Sequence, residues 1–288
     1  MKNQLIFSII KNFKKITNKR ILVEDVKDYI LPIYSFLNNS NKKMFLISGA
    51  QGIGKTTILN VIEKNFYFFF KKRILRLSLD DFYYSKKERN LLSQSIHSLM
   101  LTRGVPGTHN IEELSKIISK FKSSKYPIYI PSFNKLKDTR NSYKKVIKKK
   151  CDILILEGWC CGSPPLSKKY LHHNINILEK KFDKNYEWRN YYNNKLKNEY
   201  SKLFKKFDKL IYFKTNSFNN VLKWRLNQER KMQKKYKIKK NGMNKKEISE
   251  FIQYYEKITK WMIKKLPKQS SITIFVDKNQ KIRKISNA

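Results

Sequence analysis

Short continuous apolar runs, rather than alternating apolar and polar positions, recur along the chain. A strand that is buried on both faces gives such a run, and strands of this kind are typical of parallel sheets covered by helices. Helical patterns lie between the runs, so strands and helices alternate. This alternation predicts a three-layer α/β domain with a mostly parallel central sheet and helical insertions. The predicted strands are 44–48, 73–79, 152–158, 209–215 and 271–277.

The helical segments are predicted from their caps and their periodicity. Helix 56–66 follows the first strand directly, and helix 111–121 begins after Asn110, a good N-cap. Two longer helices cover 218–235 and 245–266. The last one carries an apolar stripe at helical spacing, which we interpret as a packing surface rather than a cofactor site.

One domain is expected over the whole chain of 288 residues, because neither an internal repeat nor a Gly/Ser-rich linker divides it. Residues 1–40 are expected to flank the sheet, with a helix over 21–37. Residues 163–208 are rich in Lys, Asn and Tyr and are predicted to form a helical insertion.

The formal net charge of +42 would ordinarily suggest a nucleic-acid partner. However, the excess is mostly Lys, which is scattered along the chain among abundant Asn, Ile and Tyr. We interpret these lysines as solvated surface positions, since a nucleic-acid reader more often concentrates Arg and aromatic residues in one patch. Nucleic acid is therefore not the expected partner, and a nucleic-acid-associated ATPase is kept as an alternative.

The cysteines and the N-terminus indicate the cellular compartment. Cys151, Cys160 and Cys161 show neither a CxxC spacing nor a nearby His at metal-ligand spacing, and three are too few for a disulfide framework. The N-terminal apolar run LIFSII is too short for a signal sequence, and no segment approaches the roughly 20 apolar residues of a membrane span. We therefore expect a soluble cytoplasmic protein without a membrane partner.

The stretch GAQGIGKTT matches the phosphate-binding loop pattern completely, between a predicted strand and a predicted helix. In such a loop, backbone N–H groups and the helix N-terminus converge on phosphate oxygens. Lys55 is expected to reach the β- and γ-phosphates, and the hydroxyl of Thr56 to hold Mg²⁺. The predicted nucleotide-binding residues are Gly49, Gln51, Gly52, Ile53, Gly54, Lys55, Thr56 and Thr57.

Carboxylates end two of the predicted strands, at the edge where a parallel sheet faces its nucleotide. Asp80 follows strand 73–79 and is the candidate proton acceptor for a substrate hydroxyl, with Asp81 as the alternate. Glu157 ends strand 152–158. The predicted metal ligands are Thr56, Asp80 and Glu157. The catalytic motifs of a motor ATPase and the specificity motifs of a GTPase are not found, which favours a small-molecule kinase.

The loop TRGVPGTHN, residues 102–110, is dense in turn residues and polar groups. Arg103 and His109 are natural ligands for an anionic, hydroxylated substrate, although His109 alone would be equally consistent with a surface loop residue. The predicted acceptor-binding residues are Asp81, Tyr83, Arg103, His109 and Asn110.

These motifs, in this order, resemble those of the plant and fungal D-glycerate 3-kinases, which are P-loop kinases related to uridine kinase, phosphoribulokinase and bacterial pantothenate kinase. The matching stretches lie within 44–277 and are SGAQGIGKTT, SLDDFY, TRGVPGTHN, IPSFNKLKDTR, LILEGWCCG, WRLNQE and NGM. The resemblance implies ATP as donor, Mg²⁺ as cofactor and D-glycerate as acceptor, with 3-phosphoglycerate as product. It also implies catalytic roles for Lys55 and Asp80, and places Arg225 in a lid region, 218–245, where it neutralises charge on the transferring phosphoryl group.

Two positions depart from the family pattern. Asn110 and Asn134 stand where the family usually has Asp. Asn keeps the hydrogen-bonding shape of Asp and loses its charge. The exchanges leave the nucleotide site intact, so phosphoryl transfer is expected. The acceptor, however, can differ from D-glycerate. Another alcohol (a nucleoside, pantothenate or a sugar phosphate) and an inactive nucleotide-binding relative therefore stay open.

Overall fold

The computed structural model describes residues 1–236 and 243–287. Part of the predicted lid region, 218–245, and the Asn241-Gly242 pair of the NGM stretch lie outside the described residues. No helix within the described part of the chain is both long enough and apolar enough to cross a membrane.

The strands and helices are numbered along the chain. The strands are β1 (Met44–Gly49), β2 (Ile74–Ser78), β3 (Ile128–Ile130), β4 (Phe133–Asn134), β5 (Thr139–Arg140), β6 (Lys145–Ile147), β7 (Ile153–Gly158), β8 (Lys209–Thr215), β9 (Ile272–Val276) and β10 (Ile282–Asn287). The helices are α1 (Lys2–Thr17), α2 (Val23–Asp25), α3 (Leu31–Asn39), α4 (Lys55–Phe70), α5 (Lys86–Ser95), α6 (Ile111–Lys122), α7 (Lys168–His172), α8 (Ile177–Phe182), α9 (Glu187–Lys195), α10 (Ser201–Phe204), α11 (Asn219–Tyr236) and α12 (Lys245–Lys265).

The central sheet has the strand order β10-β9-β8-β1-β7-β2. All neighbours in it are parallel except β9 and β10, which form an antiparallel edge. The five predicted strands are thus confirmed to within one or two residues at their ends, whereas β10 was not predicted. Ser48 pairs with Gly158, and Ser78 pairs with Glu157, so the carboxyl ends of β1, β7 and β2 meet at one edge.

Helices cover both faces of the sheet, which confirms the three-layer α/β fold. On β1, Phe45 and Ile47 face a core built with α1, α3 and α4, while Met44 and Leu46 face a second core built with α6, α12 and the segment between β7 and β8. The N-terminal flank contains α1 in addition to the helix that was predicted there.

The segment between β7 and β8 carries α7 to α10 and is joined to α12 by buried charges. Arg189 donates to Asp183 at 2.6 Å, and Lys257 of α12 lies 3.2 Å from Glu179. These four side chains are almost fully buried, so each needs its partner to offset the loss of water. Lys257 is an exception to the interpretation of the lysines as solvated surface positions, because it is buried and forms an ion pair between α12 and this segment.

Candidate active site

Lys55, which follows the loop between β1 and α4, donates hydrogen bonds to backbone carbonyl groups of that loop. Gly54 caps α4 in the left-handed conformation, at φ 111°, and Lys55 is the first helical residue. The buried Lys55 Nζ donates to the carbonyl oxygens of Gly49, at 2.6 Å, and Ala50, at 3.1 Å. Burial lowers the pKa of Lys55, and the carboxylates of Glu157 and Asp80 partly offset this. The ammonium group is therefore held by the carbonyl groups of its own loop and is influenced by the charges of Glu157 and Asp80.

Helix α11 packs directly on the phosphate loop. Gly52 has a φ of 78°, and a Cβ placed on it would lie 2.7 Å from Cβ of Trp224. Trp224 is buried and donates through Nε1 to the carbonyl of Lys278 at 3.0 Å. The glycine is required here both for its backbone conformation and for this close approach.

Two of the predicted metal ligands touch. The hydroxyl of Thr56 donates to the carboxylate of Glu157 at 3.0 Å, across 101 residues of sequence. Arg76 of β2 lies beside this pair, with its Nε 3.7 Å from Glu157. Within residues 1–236 and 243–287, this site included, no group of three or more His, Cys, Asp or Glu side chains could hold a metal ion. A hydroxyl and one carboxylate suit Mg²⁺, which in nucleotide sites takes its remaining ligands from phosphates and water.

Asp80 lies two residues beyond the end of β2 and is paired with a lysine. Its Oδ2 accepts from Lys135 Nζ at 2.5 Å, and its Oδ1 accepts from the hydroxyl of Tyr83 at 2.7 Å. Burial opposes the charged form, but the ammonium group of Lys135 and these hydrogen bonds lower the pKa of Asp80 well below its usual range. The side chain is therefore a carboxylate at neutral pH.

The neighbouring Asp81 has a different partner. Its Oδ1 accepts from the backbone N–H of Phe133 at 3.3 Å. Burial, only partly opposed by this hydrogen bond, raises the pKa of Asp81. The geometry therefore separates the two carboxylates: Asp80 faces a lysine, whereas Asp81 anchors the backbone of β4.

A short hairpin, β4–β5, carries Lys135 to Asp80. Asn134 Oδ1 accepts from the N–H groups of Leu136 and Lys137, both at 3.0 Å, and thereby closes the turn. Asp138 follows in the left-handed conformation, at φ 52°. An Asp at position 134 would accept the same two hydrogen bonds, so the departure at Asn134 preserves the turn that positions Lys135.

The acceptor loop, residues 102–110, is bound to the segment after β2. Tyr84 N–H donates to Thr108 O at 2.9 Å, and Asn110 N–H donates to Phe82 O at 2.8 Å. The Asn110 side chain accepts from Glu113 N–H at 2.9 Å, which confirms it as the N-cap of α6. Its role in binding the acceptor stays a prediction.

Arg103 joins the acceptor loop to the hairpin. Its guanidinium forms an ion pair with Asp138 and donates to the carbonyl of Lys135 at 3.4 Å. The buried Arg89 lies 2.7 Å from the other oxygen of Asp138. One carboxylate thus bridges two arginines and fixes the backbone beside Lys135.

His109 is buried between two tyrosines. Its ring centroid lies 4.7 Å from that of Tyr83, and its Nδ1 is 2.6 Å from the hydroxyl of Tyr200. Burial lowers the pKa of His109 to about 3, so the ring is neutral at physiological pH. The predicted acceptor-side residues Asp81, Tyr83, Arg103 and His109 are therefore brought to the same side of the sheet edge as Asp80.

Arg225 makes its polar contacts within α11. It lies 3.3 Å from Gln228 Oε1 and 3.5 Å from Glu229 Oε2, with its guanidinium 5.7 Å from the ring of Phe251. The buried Glu229 also accepts from the N–H of Met243 at 3.2 Å. A catalytic role for Arg225 stays a prediction, with the side chain held here by its own helix.

Several residues that contact the predicted site residues were not predicted from the sequence. Lys135 and Asp138 belong to the stretch IPSFNKLKDTR, which was matched as a motif without roles for these two side chains. Arg76 lies inside a predicted strand, and Tyr200 lies in the insertion. A cation within an otherwise apolar strand is a signal that could have identified Arg76, while Tyr200 gives none.

A mostly parallel sheet with a phosphate loop after a central strand, a Thr–Glu pair beside that loop and an aspartate after β2 is the arrangement of a P-loop kinase. No family model matches the chain. The chain is 30% identical over 230 residues to "Uncharacterized kinase mug58" of Schizosaccharomyces pombe, covering 73% of this chain and 76% of that protein. It is 25% identical over 286 residues to "Probable ATP-dependent kinase TDA10" of Saccharomyces cerevisiae, covering 88% and 91%. The chain belongs to the family of these proteins, both of which are named as kinases.

Solved structures show the same fold. The structure of the YGR205w protein superposes with a TM-score of 0.69 at 25% identity, covering 92% of this chain and 95% of that one. A D-glycerate 3-kinase from Cryptococcus neoformans superposes with a TM-score of 0.73 at 21% identity, covering 90% and 96%. The predicted fold class and the prediction of a kinase are both confirmed.

Proposed function

We propose that the protein transfers the γ-phosphoryl group of ATP to the terminal hydroxyl of D-glycerate, giving 3-phosphoglycerate and ADP. The observation that carries this proposal is the Asp80–Lys135 pair, in which a proton acceptor lies beside a positive charge. A small hydroxy acid offers a hydroxyl to the aspartate and a carboxylate to the lysine. The fold shared with a D-glycerate 3-kinase supports the same acceptor.

The nucleotide side of the site needs little beyond what the loop provides. The N–H groups of the loop and of the α4 N-terminus would bind the phosphates, and Lys55 would exchange its carbonyl partners for phosphate oxygens. Thr56 and Glu157 would hold Mg²⁺, which neutralises charge on the β- and γ-phosphates. Arg225 would add a positive charge on the other side of the loop, since its helix packs on Gly52.

On the acceptor side, Asp80 orients the hydroxyl and accepts its proton as the new P–O bond forms. Its depressed pKa makes it a weak base. Its contribution is therefore mainly to hold the hydroxyl oxygen in line with the γ-phosphate, which suits a loose phosphoryl-transfer transition state. The charges of Asp80 and Lys135 both influence the pKa of Lys55, which supports an acceptor site close to the phosphate loop.

A panel of acceptors tests the proposal. Purified protein is incubated with ATP, Mg²⁺ and one of D-glycerate, glycerol, uridine, pantothenate or a sugar phosphate, and the products are assigned by ³¹P NMR. We expect a phosphomonoester on the terminal carbon of D-glycerate, and none in the Lys55→Met variant. Phosphorylation of another acceptor without turnover of D-glycerate would refute the assignment, as would ATP binding without phosphorylation of any acceptor. ATP hydrolysis stimulated by RNA and suppressed by salt would instead favour the nucleic-acid alternative.

A further inference from the structure

Tyr200, in the segment between β7 and β8, reaches back to the acceptor loop. It lies in the π-helical turn Leu196–Tyr200, is buried, and accepts the N–H of Gly107 at 3.0 Å. Gly107 has a φ of 96°, and a Cβ on it would lie 2.7 Å from the ring of Tyr191 in the same segment. The segment is thus in direct contact with the loop that carries His109.

The hydrogen bonds of Tyr200 determine which nitrogen of His109 carries the proton. Gly107 N–H can only donate, so it uses the oxygen of the hydroxyl, and the single hydroxyl hydrogen is free to donate to His109 Nδ1 at 2.6 Å. Nδ1 is then the acceptor, and the ring proton is on Nε2. In the other tautomer Nδ1–H would donate to the same oxygen, and the buried hydroxyl hydrogen would lose its acceptor.

His109 Nε2 is buried and has no hydrogen-bond partner among the residues that the structure describes. The ring packs against Tyr83 at an interplanar angle of 33°, the Tyr83 hydroxyl donates to Asp80, and the charge of Asp80 acts on His109. A buried, unsatisfied N–H is costly, and a ligand oxygen that accepts from it would remove that cost. The ring stays neutral because burial lowers its pKa to about 3.

We propose that Tyr200 is a positioning residue for the acceptor: it holds His109 in the Nε2–H tautomer, so that Nε2–H donates to an oxygen of the hydroxy acid bound beside Asp80. The identity of the acceptor rests on the proposed function. The tautomer does not, because it follows from hydrogen bonds within the protein. The segment between β7 and β8 thereby contributes to acceptor recognition without touching the acceptor.

The tautomer is measured by ¹⁵N–¹H NMR of protein labelled at histidine, with the His109 signals identified by their loss in His109→Gln. We expect the wild-type ring to be protonated at Nε2, and Tyr200→Phe to shift the population towards the Nδ1–H form. Tyr192→Phe is the matched control, because the Tyr192 hydroxyl is also buried in this segment and has no hydrogen-bond partner among the described residues. An Nδ1–H ring in the wild type, or an unchanged tautomer in Tyr200→Phe, would overturn the proposal.

Kinetics give a second, separate readout. Tyr200→Phe is expected to raise the KM for D-glycerate by about 10-fold while the KM for ATP stays unchanged, and Tyr192→Phe to change neither. An equal rise in both KM values would indicate a structural role and contradict the proposal. If no acceptor is phosphorylated by the wild type, the proposed function fails, and the NMR result still decides the role of Tyr200.

Discussion

Replacing Lys135 with Met tests whether the protein recognises a carboxylate beside the base. The substitution removes the ammonium group that lies 2.5 Å from Asp80 Oδ2 and keeps a flexible chain of similar length. Asn134 still closes the hairpin turn, because its side chain accepts from the backbone N–H groups that follow it. The variant therefore changes one charge at the acceptor side while it leaves the phosphate loop intact.

The size of the effect follows from the exposure of the pair. The Lys135 side chain is 57% exposed and that of Asp80 28%, so their attraction in the free protein is screened and contributes about 0.2–1 kcal/mol to stability. The variant is therefore expected to fold. A hydrogen bond from the ammonium to the acceptor carboxylate contributes about 1.5–3 kcal/mol, and about 1.4 kcal/mol corresponds to a tenfold change in binding. The KM for D-glycerate should therefore rise by about 10- to 100-fold.

The assay compares D-glycerate with glycerol, which has the same terminal and central hydroxyls and lacks the carboxylate. Lys135→Met should raise the KM for D-glycerate, change kcat little, and have little effect on any phosphorylation of glycerol. Lys137→Met is the control, since Lys137 is an exposed lysine on the same hairpin. Lys135→Arg should restore much of the affinity, because it restores the positive charge.

Two results would refute the reasoning. An unchanged KM for D-glycerate in Lys135→Met would show that the lysine does not bind the acceptor. An equal loss of activity with glycerol and D-glycerate would show that Lys135 acts on Asp80 or on the phosphates rather than on the carboxylate.

Lys55→Met is expected to lower kcat by about 100-fold or more in steady-state assays, because it removes the cation of the phosphate loop; a near-normal kcat would contradict that assignment. Asp80→Asn should lower kcat far more than it weakens ATP binding measured by calorimetry, whereas Asp81→Asn keeps its hydrogen bond to the backbone and should retain most activity; the opposite order would make Asp81 the base. His109 has a pKa of about 3 when folded and 6.5 as a free side chain, so the unfolded state binds the proton more tightly. As the pH falls below 6.5, the free energy of unfolding should fall by up to about 1.4 kcal/mol per pH unit. In urea unfolding, this slope should diminish in His109→Gln and persist in the variant of an exposed histidine, His173→Gln.

The phosphate loop and the strands around it could be predicted from the sequence, because each is a contiguous stretch with a general pattern. The phosphate loop is a contiguous stretch, and continuous apolar runs located the strands to within one or two residues of their observed ends. Glu157 could be predicted to lie at this edge because it ends a predicted strand, and the carboxyl ends of neighbouring parallel strands meet there. Strand β10 was not predicted, because it lies at the edge of the sheet, where its residues are half-buried or exposed and form no continuous apolar run.

The partners on the acceptor side could not be predicted, because they are distant in sequence. Lys135 and Asp80 are 55 positions apart, and Tyr200 and His109 are 91 apart. Each contact depends on how a hairpin or a helical segment packs against the residues after β2. The local sequence pattern does not indicate that packing. In a chain where lysines are abundant at the surface, composition does not distinguish Lys135 from its solvated neighbours.

The two departures from the family pattern have a common physical explanation. Asn134 and Asn110 both use a side-chain oxygen to accept backbone N–H groups, in the hairpin turn and at the N-cap of α6 respectively. Asn and Asp perform this task almost equally well, since both present an oxygen at the same position. An Asp at position 134 would also place a negative charge next to Lys135 in the chain, where an anionic acceptor would bind. Its removal lowers repulsion there, so the exchange is compatible with binding a carboxylate and does not indicate loss of the site.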